Sequence, residues 1–306
     1  MLKGLALTPP VVGRISIGKV VEKNGKRVPE ADDEFTITSQ VQKHDGWVPH
    51  PVDESLRKTA GGKLRSIPVR LLFDDPDLNL RASYCMFDRA TGRPLCVGNG
   101  ATCKRATAAG IRSLACPAPE SCDLAQGGAC KPYGRINVQI GDEDELGSFI
   151  FRTTGFNSIR TLATRLSYFH AAAGGVLAGM PLELRLRGKS TTQSHRAAIY
   201  YVDLVTRSGS NLTQTVAAAK AAREERWAAG VDQAALDDAA RAGLANGAFE
   251  ESAEEGEAVV EEFYPTESTS APTTPTSAAP SLKAKLRTKA SQEPTRPAMA
   301  APTEGS

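Results

Sequence analysis

Residues 13–22 (GRISIGKVVE) and 34–42 (EFTITSQVQ) alternate apolar and polar side chains with a period of two, the pattern of strands that bury one face. Asn24-Gly25 between them takes positive φ at little cost, so the two runs read as a hairpin or meander. Working outward, further strand candidates are 66–73 (SIPVRLLF), 80–88 (LRASYCMFD), 135–140 (RINVQI), 147–153 (GSFIFRT), 182–189 (LELRLRGK) and 198–206 (AIYYVDLVT). One helix stands out among them. With Asn157 or Ser158 as its cap, Ile159, Leu162, Ala163, Leu166 and Phe169 fall on one face and Gly174 can end it. Many strands in antiparallel-looking succession with a single prominent helix predict an α+β fold, not a βαβ repeat.

After Ser210 the character changes. Residues 212–229 and 233–243 are Ala-rich and helical in propensity, with Gly230 as a stop and Asp232 as a cap. Beyond Pro265 the chain is Ser, Thr, Pro and Ala with scattered cations, a composition that buries too little to offset its ordering entropy. The expected organisation is an α+β core over 1–210 carrying a cysteine-rich insertion at 94–134, then an Ala-rich helical and acidic extension over 211–264. A disordered tail over 265–306 follows.

With 41% apolar and 24% charged residues the composition is that of a soluble protein. No stretch approaches the ~20 consecutive apolar residues that cross a bilayer, so no membrane partner is expected. The opening MLKGLALTPPVVGRISIGK has too short an apolar run for a secretory leader, which makes the cytoplasm the expected compartment. The net charge of +2 conceals an asymmetry. From Ile150 to Ser210 there are eight Arg and Lys against two acids, whereas from Val231 to Glu262 there are ten acids against Arg241 alone. A basic end to the core beside an acidic appendage points to an anionic partner.

All six cysteines lie in one window: Cys85, Cys96, Cys103, Cys116, Cys122 and Cys130. Gly, Ala, Pro and small polar residues surround them, and a loop of about 35 residues with no core of its own needs something to hold it. Thiolates on a common metal do that, contributing on the order of 10 kcal/mol. Disulfides are rare in a cytosolic chain, and free thiols are the third possibility. No CxxC occurs, so the spacing is weaker than that of a zinc ribbon. The preferred ligands are Cys103, Cys116, Cys122 and Cys130, with Cys96 as a substitute for Cys103 across the Gly98-Asn99-Gly100 turn. Cys85, within a strand, reads as a small buried hydrophobe. Zinc is the expected ion and an iron–sulfur cluster the alternative. Four thiolates close the shell, so the metal would be structural.

In 182–189, Arg185, Arg187 and Lys189 share one strand face, about 6.6–7 Å apart, near the phosphate spacing of a nucleic-acid strand. The loop STTQSHR adds His195 and Arg196, and one of Tyr200 and Tyr201 shares the charged face, which suits phosphate contact with base stacking. Arg160 and Arg165 join this nucleic-acid set if the fold brings the helix to the same side. A solvated outer sheet face is the plainer alternative. Other signals are weaker. Arg187-Gly188-Lys189-Ser190 resembles the end of a phosphate loop, but Glu183 stands where its first glycine belongs. His44, Asp45, His50 and Asp53, or Asp142, Glu143, Asp144 and Glu145, could serve a metal-dependent nuclease or hydrolase, although a polar loop and a charged turn explain them more simply.

The run FRTTGFNSIRTLATRL (151–166), the opening LKGLALTPPVVGRISIGKVVEKNGKRVP (2–29) and the Cys-Pro…Cys…Cys-Lys-Pro-Tyr-Gly-Arg stretch (116–135) resemble the recombination directionality factor-like family of phages and integrative elements. Some members carry the label "hydrolase or metal-binding protein". The resemblance covers about residues 1–210. It implies a non-enzymatic accessory factor that contacts a DNA-bound recombinase and switches it toward excision, with Cys103, Cys116, Cys122 and Cys130 as the metal set and no catalytic residue. Two short stretches, EAVVEEFYP (257–265) and KAKLRTK (283–289), read as docking motifs for a protein partner. Besides the nuclease or hydrolase, a single-stranded nucleic-acid binder in replication is an alternative.

Overall fold

The computed structural model describes residues 10–23, 26–43, 46–141, 146–190, 192, 198–244, 259–260 and 263–264. Outside them lie the Asn24-Gly25 turn, His44-Asp45, the acidic loop 142–145, His195 with Arg196, most of the motif 257–265, and the whole of 265–306 with the motif 283–289. In chain order the first elements are β1 (Val11–Lys23), β2 (Lys26–Lys43), β3 (Gly46–Pro49), α1 (Pro51–Ala60), β4 (Ser66–Arg70), α2 (Pro76–Asn79) and β5 (Leu80–Phe87). Next come β6 (Pro94–Gly98), β7 (Thr102–Thr107), β8 (Gly110–Ala115), β9 (Lys131–Ile140), β10 (Ser148–Thr153) and α3 (Phe156–Ala173). The last are β11 (Pro181–Lys189), β12 (Ile199–Thr206), α4 (Leu212–Ala228) and α5 (Gln233–Gly243).

The fold is α+β with mostly antiparallel strands. Their order is β3-β2-β1-β10-β9-β5-β6-β7-β8, with β4 joining β9 to β11 and β12 pairing beyond β11. The β1–β10 pair is parallel. β9 pairs β5 and β10 through its first residues and β4 through Gln139 and Ile140, so it belongs to both walls of the core. Between those walls, Ile15, Ile136 and Phe151 on one side and Val69, Leu184 and Leu204 on the other meet Leu162, Leu166 and Phe169 of α3. Burying each such side chain stabilises the fold by about 1.5–3 kcal/mol.

α3 occupies the stretch whose periodicity predicts it, but its start differs. Gly155 is the N-cap and no side chain caps it. The expected caps are engaged elsewhere: Ser158 Oγ accepts the Val202 N–H at 3.1 Å, and Asn157 Oδ1 accepts from Lys189 Nζ at 2.8 Å. Both bonds pin the helix to β11 and β12. Gly174 ends α3 in the left-handed region at φ 68, as its position predicts. Ser158→Ala leaves the buried Val202 N–H unsatisfied and should lower unfolding free energy by about 1–3 kcal/mol in urea titration, with the m-value unchanged.

α4 begins with a capping box between Asn211 and Gln214 and places Ala219 in the core. Asp232 caps α5, as expected, and Ala240 of α5 packs against Phe73 and Leu78. The cysteine-rich segment is not the coreless loop that its composition suggests. β6, β7 and β8 extend the sheet past β5, and all six residues of β8 are exposed. A strand with no buried face has no apolar alternation to read, so its order comes from ladder bonds and turns.

Candidate functional site

The β6–β7 hairpin carries Cys96 and Cys103 on either side of a turn in which Asn99 Oδ1 accepts the N–H groups of Ala101 and Thr102, each at 2.9 Å. Cys116 follows β8, and its N–H donates to the Ala101 carbonyl at 2.9 Å. That bond brings its sulfur over Gly98: a Cβ added to Gly98 would stand 2.8 Å from Cys116 Sγ and 2.8 Å from Cys103 Cβ. Two short 3-10 turns, Pro119–Ser121 and Asp123–Gly128, flank Cys122, and Cys130 immediately precedes β9.

The five thiols act on one another. Burial, and then the charges of Cys96, Cys116, Cys122 and Cys103, push the Cys130 thiol up to about 11. Cys103 is raised by burial first and by its hydrogen bond with Cys96 next. Arg105 also bonds Cys96, which raises its own pKa, and its Nη2 donates to Cys103 Sγ at 4.0 Å. Cys96 and Cys103 therefore stand side by side. Cys85 is apart, buried with Phe87, Val97 and Tyr133 as the small-hydrophobe reading expects. No disulfide joins the six cysteines, and among the described residues no three His, Cys, Asp or Glu side chains close on a common point in ligand geometry. The thiols are gathered but not closed.

The residues nonetheless suit a thiolate-bound metal on three counts. The donors are soft sulfurs, which match zinc or an iron–sulfur cluster. Gly98 leaves room in which the Cys103 and Cys116 side chains approach each other. Ala118, between Cys116 and Cys122, holds φ 62 and ψ 164, a glycine-like conformation costing about 1–3 kcal/mol that persists only where the surroundings enforce it.

The basic residues of α3 and β11 share one surface. Asp203 on β12, its side chain 6% exposed, accepts from Arg165 Nε at 2.9 Å and from Arg187 Nε at 3.3 Å. Arg185 is held by Glu183 Oε1 at 2.7 Å and by Ser208. Lys189, besides its bond to Asn157, lies 5.9 Å over the Tyr201 ring. Tyr201, opposite Arg187, is the tyrosine on the charged face, and Tyr200 packs on the core. Arg160 is exposed on α3, and Arg196 lies outside the described residues. The face is thus basic but threaded by two carboxylates.

A family model described as recombination directionality factor-like (Gp3-like) matches residues 12–207. The chain belongs to that family. No curated protein and no solved structure matches it. The matched span runs from β1 to the end of β12 and stops before α4. Membership in the recombination directionality factor-like family carries an accessory role in recombination of phages and mobile elements. Among the described residues no helix is long and apolar enough to cross a membrane.

Two of the residues offered for hydrolysis, His50 and Asp53, have structural roles. His50 caps α1 by accepting the Val52 N–H, its ring meets Phe149 edge-on at 5.0 Å, and burial lowers its pKa. Asp53 accepts the Ile37 N–H at 2.8 Å and pairs with Arg57. Sequence reading missed two features. One is a row of arginines on the outer face of the central strands. The other is that Val259, Phe263 and Tyr264, of the motif 257–265, pack on this chain's own Phe87 and Tyr133. Neither has a sequence signal beyond strand alternation and the aromatic pair itself.

Proposed function

We propose that the protein is a non-enzymatic accessory factor that contacts DNA and a DNA-bound recombinase through the α3–β11 edge, with its cysteine segment closed by a structural zinc ion. Cys103, Cys116, Cys122 and Cys130 would hold the ion, with Cys96 beside Cys103. A bound zinc would tie the hairpin, the 3-10 turns and the start of β9 to one another through these cysteines. The Arg105 guanidinium balances the negative charge of the thiolates from outside the shell.

The observation that carries the DNA reading is the carboxylate of Asp203 shared by Arg165 and Arg187, because it brings helix and strand cations to one surface. Family membership supports the recombinase as partner.

Fluorescence anisotropy on a labelled duplex at several salt concentrations tests the surface. Arg187→Ala should weaken binding about three- to tenfold at low salt and flatten the salt slope by about one. Unchanged affinity and slope for both Arg187→Ala and Arg165→Ala would remove the edge from consideration. A recombinase–DNA complex whose gel mobility the protein does not alter would remove the partner.

A further inference from the structure

Val259 and Phe263 stand four residues apart, the spacing that puts two side chains on one face of a helical turn. The Tyr264 N–H closes that turn on the Val260 carbonyl at 2.8 Å. Val259 and Phe263 are fully buried, in a cluster with Cys85 and Phe87 of β5, Val97 of β6 and Tyr133 of β9. Phe263 meets Phe87 and Tyr133 edge-on, with ring centroids 4.9 and 5.7 Å away. The Arg89 guanidinium lies over the Tyr264 ring at 4.4 Å. The family span ends at residue 207, so this anchor comes from beyond it.

The polar contacts of the anchor converge on Cys130. The Tyr264 hydroxyl lies 3.2 Å from the Ala129 carbonyl, which belongs to the peptide bond entering Cys130, and 3.0 Å from the Phe87 carbonyl. On the other side of Cys130, Lys131 Nζ donates to the Phe263 carbonyl at 3.2 Å. Both chain neighbours of Cys130 are thus tied to adjacent residues of the anchor.

β9 begins at Lys131, opposite Cys85, so the sheet fixes the chain after Cys130. Before it, the backbone bonds among the described residues are local: Ser121 to Ala118, Cys122 to Pro119, Ala125 to Cys122 and Ala129 to Gln126. Local turns preserve the shape of a segment but not its place. The contact of Tyr264 with Ala129 joins residues 135 apart in the chain and fixes the last turn against β5. Resting on the zinc reading above, we propose that Phe263 and Tyr264 are positioning residues of the cysteine site, holding Cys130 where it meets the other thiols and closes the metal shell. Such coupling is reciprocal, so bound zinc should in turn slow hydrogen exchange of the Tyr264 amide.

The test labels full-length protein, as purified, with iodoacetamide and reads the rate at each cysteine by mass spectrometry. Zinc affinity is measured beside it by competition with a chromophoric chelator. Tyr264→Phe keeps the ring and removes the hydroxyl. It should raise the Cys130 rate relative to Cys103 about threefold or more and weaken zinc about three- to tenfold, the worth of one neutral hydrogen bond. Phe263→Ala should do both more strongly. Ser158→Ala, which destabilises the fold through α3, should leave the ratio and the zinc affinity as in the wild type, whereas a merely structural anchor predicts that all three variants act alike. A Cys130-to-Cys103 ratio unchanged in Tyr264→Phe and Phe263→Ala overturns the proposal. Wild-type protein that binds no zinc overturns the metal reading instead, and the labelling ratio still decides the anchor. Should Phe263→Ala fail to fold, Tyr264→Phe alone decides.

Discussion

Protein held in a strong chelator and a reductant should lose amide exchange protection across residues 94–134 while β1, β10 and α3 keep theirs. From Pro94 to Cys130 the buried apolar side chains are Val97, Cys103 and Ala125, and β8 buries nothing. Ordering the backbone costs about 1–2 kcal/mol per residue, which three small side chains do not offset. A zinc ion on four thiolates would contribute on the order of 10 kcal/mol and would reverse that balance. The central strands and α3 bury a full core and have no such need. Zinc content should be one per chain before treatment. Gly98→Ala gives the same result without deleting a ligand, since the new methyl occupies the space of the Cys116 sulfur. Retained protection in the chelated, reduced protein would end the metal reading, as would full zinc content in Gly98→Ala.

The alternation that predicts β1 and β2 works because Ile15, Phe35 and Ile37 face the core in a period of two, and the same holds for Leu182, Leu184 and Leu186 on β11. The helical spacing of Leu162, Leu166 and Phe169 survives for the same reason. β8 was illegible because a fully exposed strand carries no burial pattern, and β6 and β7 bury too few side chains (Val97 and Cys103) to show one. The arginine row was illegible for the opposite reason. In RINVQI the polar positions alternate with the core-facing ones, yet Arg135 is buried, and nothing in the strand's own sequence marks that. Within the candidate site, the sequence brings five cysteines into one window, but their mutual approach depends on Gly98 and on the Cys116 N–H bond to Ala101. Asp203 was overlooked as well. It lies 38 residues from Arg165 in the chain, so only the folded chain makes it the counter-ion of the basic edge.

Asp203→Asn should move stability and DNA binding in opposite directions. The carboxylate is nearly buried, whereas the Arg165 and Arg187 side chains are 44% and 42% exposed. Water can therefore solvate both guanidiniums once the carboxylate is gone, and the loss should be about 1–2 kcal/mol rather than the 3–5 kcal/mol of a fully buried pair. The amide keeps one acceptor, which limits repacking. For DNA the consequence reverses. Two cations that shared a carboxylate become available to phosphates, and each added contact steepens the salt slope by about 0.9. Affinity at low salt should rise about tenfold, while Arg187→Ala lowers it. A merely structural ion pair predicts that both substitutions weaken binding in proportion to the stability they remove. Parallel losses in the two variants, measured by anisotropy beside urea titration, would therefore assign Arg165, Arg187 and Asp203 to the fold and leave the α3–β11 edge without a nucleic-acid role.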